Sequence, residues 1–199
     1  MADDNVNLLI TNSLFNVTQE GWLEFFVNDR MIEEAKNMSD KGDNTYSTNL
    51  YTEVETDWRW VGFLGELVFS LMCYELDIPA KWHKELGAGK TDFNIFDYSI
   101  GVKTVKRTVP MKLSYEAQIS KRHADEPSTD YFFCCYEIET NRMIMLGGMK
   151  RKQYLEQAKF YSEGEFVHPK YQIRQGHSIY NLEVSKLTKP IDWLNNIIR

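Results

Sequence analysis

Glu66, Asp92 and Lys103 are the ionisable residues of this chain whose surroundings suggest chemistry. Glu66 lies among Phe63, Leu64, Leu67, Val68, Leu71 and Met72. A carboxylate with such neighbours is costly to bury unless a charge pairs with it. If the segment is a helix, Gly62 and Ser70 share its face. Residues that small leave room for a metal, a ligand or another chain. Arg59 lies on the same face about two turns back. Lys103 sits near Val102 and Val105 and also calls for a partner charge, which Asp92 can supply. The structural alternative for Glu66 is that it faces solvent from a part-exposed helix or pairs with a core arginine. Taken alone, Asp92 with Lys103 reads first as a structural ion pair across a hairpin.

The elements that must position these residues can be read from periodicity. Residues 57–76, "DWRWVGFLGELVFSLMCYEL", form a helix with apolar residues around most of the wheel. Strands follow near 92–96 and 100–106, joined by a tight turn at Asp97-Tyr98-Ser99. Alternation puts Gly101, Lys103 and Val105 on one side of the second strand. The preceding Gly89-Lys90-Thr91 has the tail of a phosphate-binding loop. That motif needs a glycine five residues earlier, where Lys84 stands, and a helix to follow, where a strand does.

Elsewhere, residues 18–38 read as an amphipathic helix with Thr18 as N-cap, and 39–49 as a loop. "IPAKWHKELGAGK" reads as a connector. "YEAQIS", "DYFFCCYEIE" and "MIMLGGM" read as strands, with Asn141 in the turn between the last two. "KRKQYLEQAKFY" reads as a helix and "SEGEFVHPK" as a loop. "YQIRQGHSIYNLEV" reads as a hairpin turning at Gly176, and "PIDWLNNII" as a terminal helix. The order predicts an α/β fold, a central mixed β-sheet flanked by helices. The chain reads as one domain: an acidic helical extension over 1–56, a core over 57–160, and a hairpin and helix over 161–199.

Length 199 with 43% hydrophobic residues suits one core. No apolar run reaches the length of a membrane span, and the start lacks signal-peptide character. Three cysteines without metal spacing and four scattered histidines argue against zinc and for reduced thiols in a cytoplasmic protein. The net charge of −6 is unevenly spread. Residues 1–57 hold twelve acids against three bases, whereas 103–122 hold six bases against Glu116 alone. Such asymmetry lets a polyanion bind one side of an acidic protein. A solvated charged face explains it equally well.

The pieces "GFLGELVF", "TDFNIF" and "IGVKTVK" resemble, in that order, the PD-(D/E)xK nuclease superfamily. Its pattern is a helix with a glutamate, a strand opening on aspartate, and a strand carrying (D/E)-x-K. The resemblance runs from about Trp58 to Lys106 and more loosely through "YFFCCYEI…MIMLGGMKRKQYL". It implies a restriction-endonuclease-like core and hydrolysis of DNA phosphodiester bonds, with RNA as an alternative substrate. It implies Mg²⁺, or Mn²⁺, held by Asp92, Glu66 and the Val102 carbonyl, with Lys103 serving the attacking water. Arg59, Lys106, Arg107, Gln118, Lys121 and Arg122 become candidate nucleic-acid contacts, and a homodimer is compatible with the family.

This chain departs from the pattern twice. Thr91 replaces a proline that is not a ligand. Gly101 replaces the second acid, and Glu66 is the first candidate to make up the deficit, ahead of Asp97 and Glu116. Two rival readings follow. One is a nuclease-like protein that binds nucleic acid without cutting it. The other is a protein-interaction module using the acidic amino-terminal region with Trp22, Phe25 and Phe26.

Overall fold

Eight consecutive buried residues, Asp130 to Glu137, mark the centre of the molecule. Strands with both faces covered lose the polar alternation of a surface strand. The computed structural model describes residues 14–45, 59–84, 91–125 and 127–198. In chain order these form β1 (Asn16–Val17), β2 (Leu23–Phe26), α1 (Asp29–Thr45), α2 (Trp60–Glu75), β3 (Ala80–Trp82), β4 (Phe93–Ile95) and β5 (Tyr98–Arg107). Then come β6 (Glu116–Ser120), α3 (Lys121–Ala124), β7 (Asp130–Glu137), β8 (Arg142–Lys150), α4 (Arg151–Gln157), β9 (Lys159–Tyr161), β10 (Phe166–His168), β11 (Tyr171–Gln172), β12 (Ile179–Glu183) and α5 (Pro190–Ile198).

The expected α/β class is what the chain adopts. Seven strands form one mixed sheet in the order β1-β2-β8-β7-β5-β4-β3. The β5–β7 pair is parallel and the other pairs are antiparallel. One face is covered by α2 and α5, whose Leu64, Val68, Phe69, Met72, Trp193 and Leu194 pack on Ile100, Val102, Phe132 and Cys134. The other face carries Tyr131, Phe133 and Cys135 against Ala117, Ile119, Ala124 and Tyr154. A smaller sheet, β6-β12-β9, and the β10–β11 hairpin complete the described part. No helix among the described residues is long and apolar enough to cross a membrane. All three cysteines are free and buried, and burial pushes the Cys73 and Cys135 thiols up to about 12.

Gly65 sets how closely α2 lies on the sheet. A Cβ there would stand 1.8 Å from Thr104 Oγ1, so the helix backbone rests directly on β5. Glu66, the next residue, is thereby held at the sheet's surface.

Several expectations are corrected. Residues 18–28 are not helical. Gly21, at φ +78°, turns the chain into β2, which pairs with β8. Arg142 secures that pairing by bridging Glu24 and Glu137, each at 2.7 Å. The helix starts at Asp29, and Asn28 Oδ1 accepts from Met31 N–H. It continues to Thr45 through the stretch expected as a loop. Region 1–56 therefore places β1 and β2 in the main sheet and Phe15, Leu23 and Phe25 in the main core. Trp22 and Phe25 are buried, which removes them from any docking surface, while Phe26 is 69% exposed.

The 80–82 part of the expected connector is edge strand β3. The hairpin turn falls at Phe96-Asp97, slightly earlier than expected. Helix α4 stops at Gln157, and residues 159–161 are drawn into a strand by β12. β12 pairs with β6 and β9, whereas β11 pairs with β10, so the expected hairpin across Gly176 does not form. The glycine-rich stretch 85–90 and Trp58 lie outside the described residues.

Candidate functional site

β4 pairs with β5 only as far as Phe93 opposite Ile100. Immediately beyond that pair the chain arrives at Asp92 on one side and at Gly101, Val102 and Lys103 on the other. The backbone is pinned there: Asp92 N–H donates to the Ile100 carbonyl at 3.1 Å. Thr91 Oγ1 donates to the same carbonyl at 2.9 Å.

The Asp92 carboxylate folds back along the strand edge. Its Oδ2 accepts from Val102 N–H at 2.7 Å and lies 3.6 Å from Lys103 Nζ. Lys103 is 13% and Asp92 21% exposed at the side chain, so both open to solvent at one point. Within a strand, one residue's N–H and C=O share an edge. The Val102 carbonyl therefore faces the same edge as Asp92.

Glu66 comes from the opposite face of the sheet, the one covered by α2. Trp82 Nε1 on β3 donates to Glu66 Oε2 at 2.9 Å. Trp82 is itself stacked on Phe93, with ring centroids 5.5 Å apart. Burial pushes the Glu66 carboxyl up to about 8, and the Asp92 negative charge adds to that; the Trp82 hydrogen bond and Lys103 pull the other way. A charge effect of Asp92 on Glu66 places the two carboxylates in one electrostatic neighbourhood. Asp92, Val102 and Lys103 thus meet past the end of β4, and Glu66 lies within reach of the Asp92 charge.

Gly101 explains itself through its neighbours. A Cβ at this position would lie 3.1 Å from Ser128 Oγ, 3.3 Å from Tyr131 Cδ1 and 3.4 Å from Lys103 Cε. Ser128 is held by its neighbour Thr129, whose N–H donates to Ser99 Oγ and whose Oγ1 accepts from Ser99 N–H, both at 3.0 Å. A side chain at 101 would therefore require Ser128 and Tyr131 to give by a few tenths of an ångström.

The remaining candidates do not gather at this point. Asp97 lies in the turn at the far end of the hairpin, and Glu116 accepts from Asn181 Nδ2 in the smaller sheet. Arg59 precedes α2 and is half-buried. Arg107 lies about 13 Å along β5 from Lys103 at about 3.3 Å per residue, stacked on Tyr115 at 4.2 Å. Lys106 is directed to the other face of β5, and burial lowers its pKa. Gln118 is paired with Asn181 in mid-β6. Lys121 and Arg122 are exposed on α3.

Two residues at the site carry no spacing signal in the sequence. Trp82 lies in a stretch that resembles a linker. His123, on α3, lies close enough to Lys103 and Asp92 for both charges to act on it. Burial, Lys103 and Arg122 push its pKa down to about 4 against the opposing pull of Asp92. Among the described residues no cluster of three or more His, Cys, Asp or Glu side chains could hold a metal ion. A cation here would rely on two carboxylates and a carbonyl. No family model, curated protein or solved structure matches the chain.

Proposed function

We propose that this protein is a metal-dependent nuclease that hydrolyses DNA phosphodiester bonds, with a restriction-endonuclease-like core. The observation that carries the reading is the Asp92–Lys103 pair at the start of β4 and on β5, with Asp92 held by Val102 N–H and its charge acting on Glu66 of α2. The resemblance to the PD-(D/E)xK superfamily calls for these residues in this order.

The donor set fits Mg²⁺ or Mn²⁺. Hard cations take oxygen ligands, and Mg²⁺ keeps several waters, so two carboxylates and one carbonyl suffice. Glu66, Asp92 and the Val102 carbonyl would hold it. When bound, the cation would supply positive charge at the reacting phosphate and make a bound water acidic enough to yield hydroxide more readily.

The chain's own residues do the positioning. Val102 N–H fixes one Asp92 oxygen and Trp82 fixes one Glu66 oxygen, so neither carboxylate must reorganise. Lys103, tethered at Asp92, is placed to orient the attacking water and offset charge on the phosphate. Lys121 and Arg122, exposed on α3, would supply backbone-phosphate contacts that carry no sequence information.

A second reading is a nuclease-like protein that binds nucleic acid without cutting it. Gly101 favours it, because no acid stands two residues before Lys103 and an added Cβ would press on Ser128 and Tyr131. Incubation with labelled single- and double-stranded DNA and RNA in Mg²⁺, Mn²⁺ or EDTA decides between them. Metal-dependent cleavage lost in Asp92→Ala and Lys103→Ala supports the nuclease. Binding without cleavage under every condition supports the second reading.

A further inference from the structure

A two-stranded hairpin has little stability of its own in water, yet β10 and β11 are firmly built. Beyond their ladder, Gly164 N–H donates to the Ile173 carbonyl and Ile173 N–H to the Glu165 carbonyl, both at 2.9 Å. Gln172 Nε2 donates to the Gly164 carbonyl at 2.8 Å. Val167 and Ile173 turn inward and pack with Tyr161 and Ile179 of the smaller sheet.

Side chains alternate along a strand, so the neighbours of Val167 are left on the outer side. Phe166 is 59% and Tyr171 37% exposed, and the His168 ring lies 5.8 Å from that of Tyr171. From residue 166 to 182 the chain carries Lys170, Arg174, His168 and His177 and no acid. Lys170 and Arg174 are both exposed. The two acids that precede the segment are committed to turns: Glu163 Oε2 accepts from Gly176 N–H at 2.8 Å, and Glu165 Oε2 accepts from Ser162 N–H. On a protein of net charge −6, this is a positive corner with two aromatic rings in the open.

The corner connects to the candidate site through α3. The Ser178 carbonyl, just before β12, accepts from Lys121 N–H at 2.8 Å. Tyr131 Oη donates to the His123 carbonyl at 3.2 Å, and the Tyr131 ring lies 3.3 Å from where a Cβ on Gly101 would stand. Lys121 and Arg122, exposed on α3, extend the basic surface along this connection.

We propose that the β10–β11 hairpin is a stacking platform for unpaired bases, so that the substrate is a nucleic acid with a single-stranded stretch. This rests on the reading of the chain as a protein that acts on nucleic acid. Phe166 and Tyr171 take the bases, and such stacking tolerates any sequence because every base has a π-face. Lys170 and Arg174 take the phosphates, which carry no sequence information. A duplex keeps its bases stacked on one another and offers the two rings no unpaired base.

The test uses the full chain in EDTA, with a fluorescein-labelled oligothymidylate and a blunt DNA duplex of the same length as probes. Binding is read by anisotropy and folding by thermal melting. Phe166→Ala and Tyr171→Ala should each weaken binding of the single strand about tenfold and that of the duplex much less. Their melting temperatures should match wild type, and Phe166→Trp should keep wild-type affinity. Lys170→Ala and Arg174→Ala should each flatten the slope of log affinity against log salt by about 0.7. Equal affinity of wild type for the two probes overturns the inference, as does binding of neither. A Phe166→Ala/Tyr171→Ala double variant that binds the single strand like wild type overturns it too. Cleavage of the same probes in Mg²⁺ is read separately. Ring-dependent binding without cleavage supports the inference while the nuclease reading falls; cleavage with binding indifferent to the rings does the reverse.

Discussion

Replacing Glu66 by glutamine should make the metal-free protein more stable, and increasingly so as pH rises. The folded chain holds the Glu66 proton up to about pH 8, mainly because burial disfavours the carboxylate. In the unfolded chain the same group ionises above its ordinary value of 4.5. Between those values the folded state binds the extra proton, so raising pH favours unfolding. At about 1.4 kcal/mol per pH unit, the penalty is near zero at pH 4 and about 3 kcal/mol at pH 7. Its ceiling above pH 8 is about 5 kcal/mol. Glutamine carries no such penalty, and its amide oxygen can still accept from Trp82 Nε1. For a chain of this size, 3 kcal/mol corresponds to roughly 6–12 °C in Tm. Thermal and denaturant unfolding in EDTA at pH 5, 7 and 9 measures this directly. The expected result is a Glu66→Gln advantage that grows across the series. Adding Mg²⁺ should stabilise wild type and leave the variant unmoved. A variant equal to or less stable than wild type at pH 9 would refute the reasoning, because it would mean that Glu66 ionises without strain.

Three further perturbations test the scaffold around the site. Gly65→Ala forces a methyl against Thr104 Oγ1. Unfolding in denaturant should show a loss of about 1–3 kcal/mol or more, and cleavage should fall as Glu66 is pushed outward. Arg142→Ala leaves the buried Glu137 carboxylate without its cation and frees β2 at Glu24. The expected cost is about 3 kcal/mol, with faster amide exchange in β2 as the second readout. Gly101→Asp restores the missing acid in the sequence, yet its Cβ meets Ser128, Tyr131 and Lys103. Lower stability by about 1–3 kcal/mol and no gain in cleavage are expected; a more active variant would show that the space opens.

The parts of the fold that the sequence makes legible are those whose environment is decided locally. Helix α2, the hairpin that carries Asp92 and Lys103, and strands β7 and β8 are long apolar or alternating runs whose type no distant contact needs to settle. Residues 18–28 failed as a helix because apolar spacing there fits either period. The choice was made by β8, through the ladder to β2 and the Arg142–Glu24 bridge. Lys159–Tyr161 followed the same rule, helical in pattern but taken by β12. At the candidate site, Glu66 and Lys103 stand out in the sequence as charges set among apolar residues, and Asp92 as the acid that opens the strand beside Lys103. Trp82 does not stand out, since it meets Glu66 only through a tertiary contact.

Gly101 joins these two kinds of information. In sequence it looks like a deletion from a metal site, a carboxylate reduced to hydrogen. In three dimensions the vacated volume holds Ser128 Oγ, the Tyr131 ring and the Lys103 stem. Tyr131 in turn holds the carbonyl of His123. Gly101 therefore touches the residue that mounts α3, and a side chain at 101 would press on Tyr131 in its present place. On the opposite face burial and the Asp92 charge raise the Glu66 carboxyl to about 8, and a cation bound as proposed would relieve that cost.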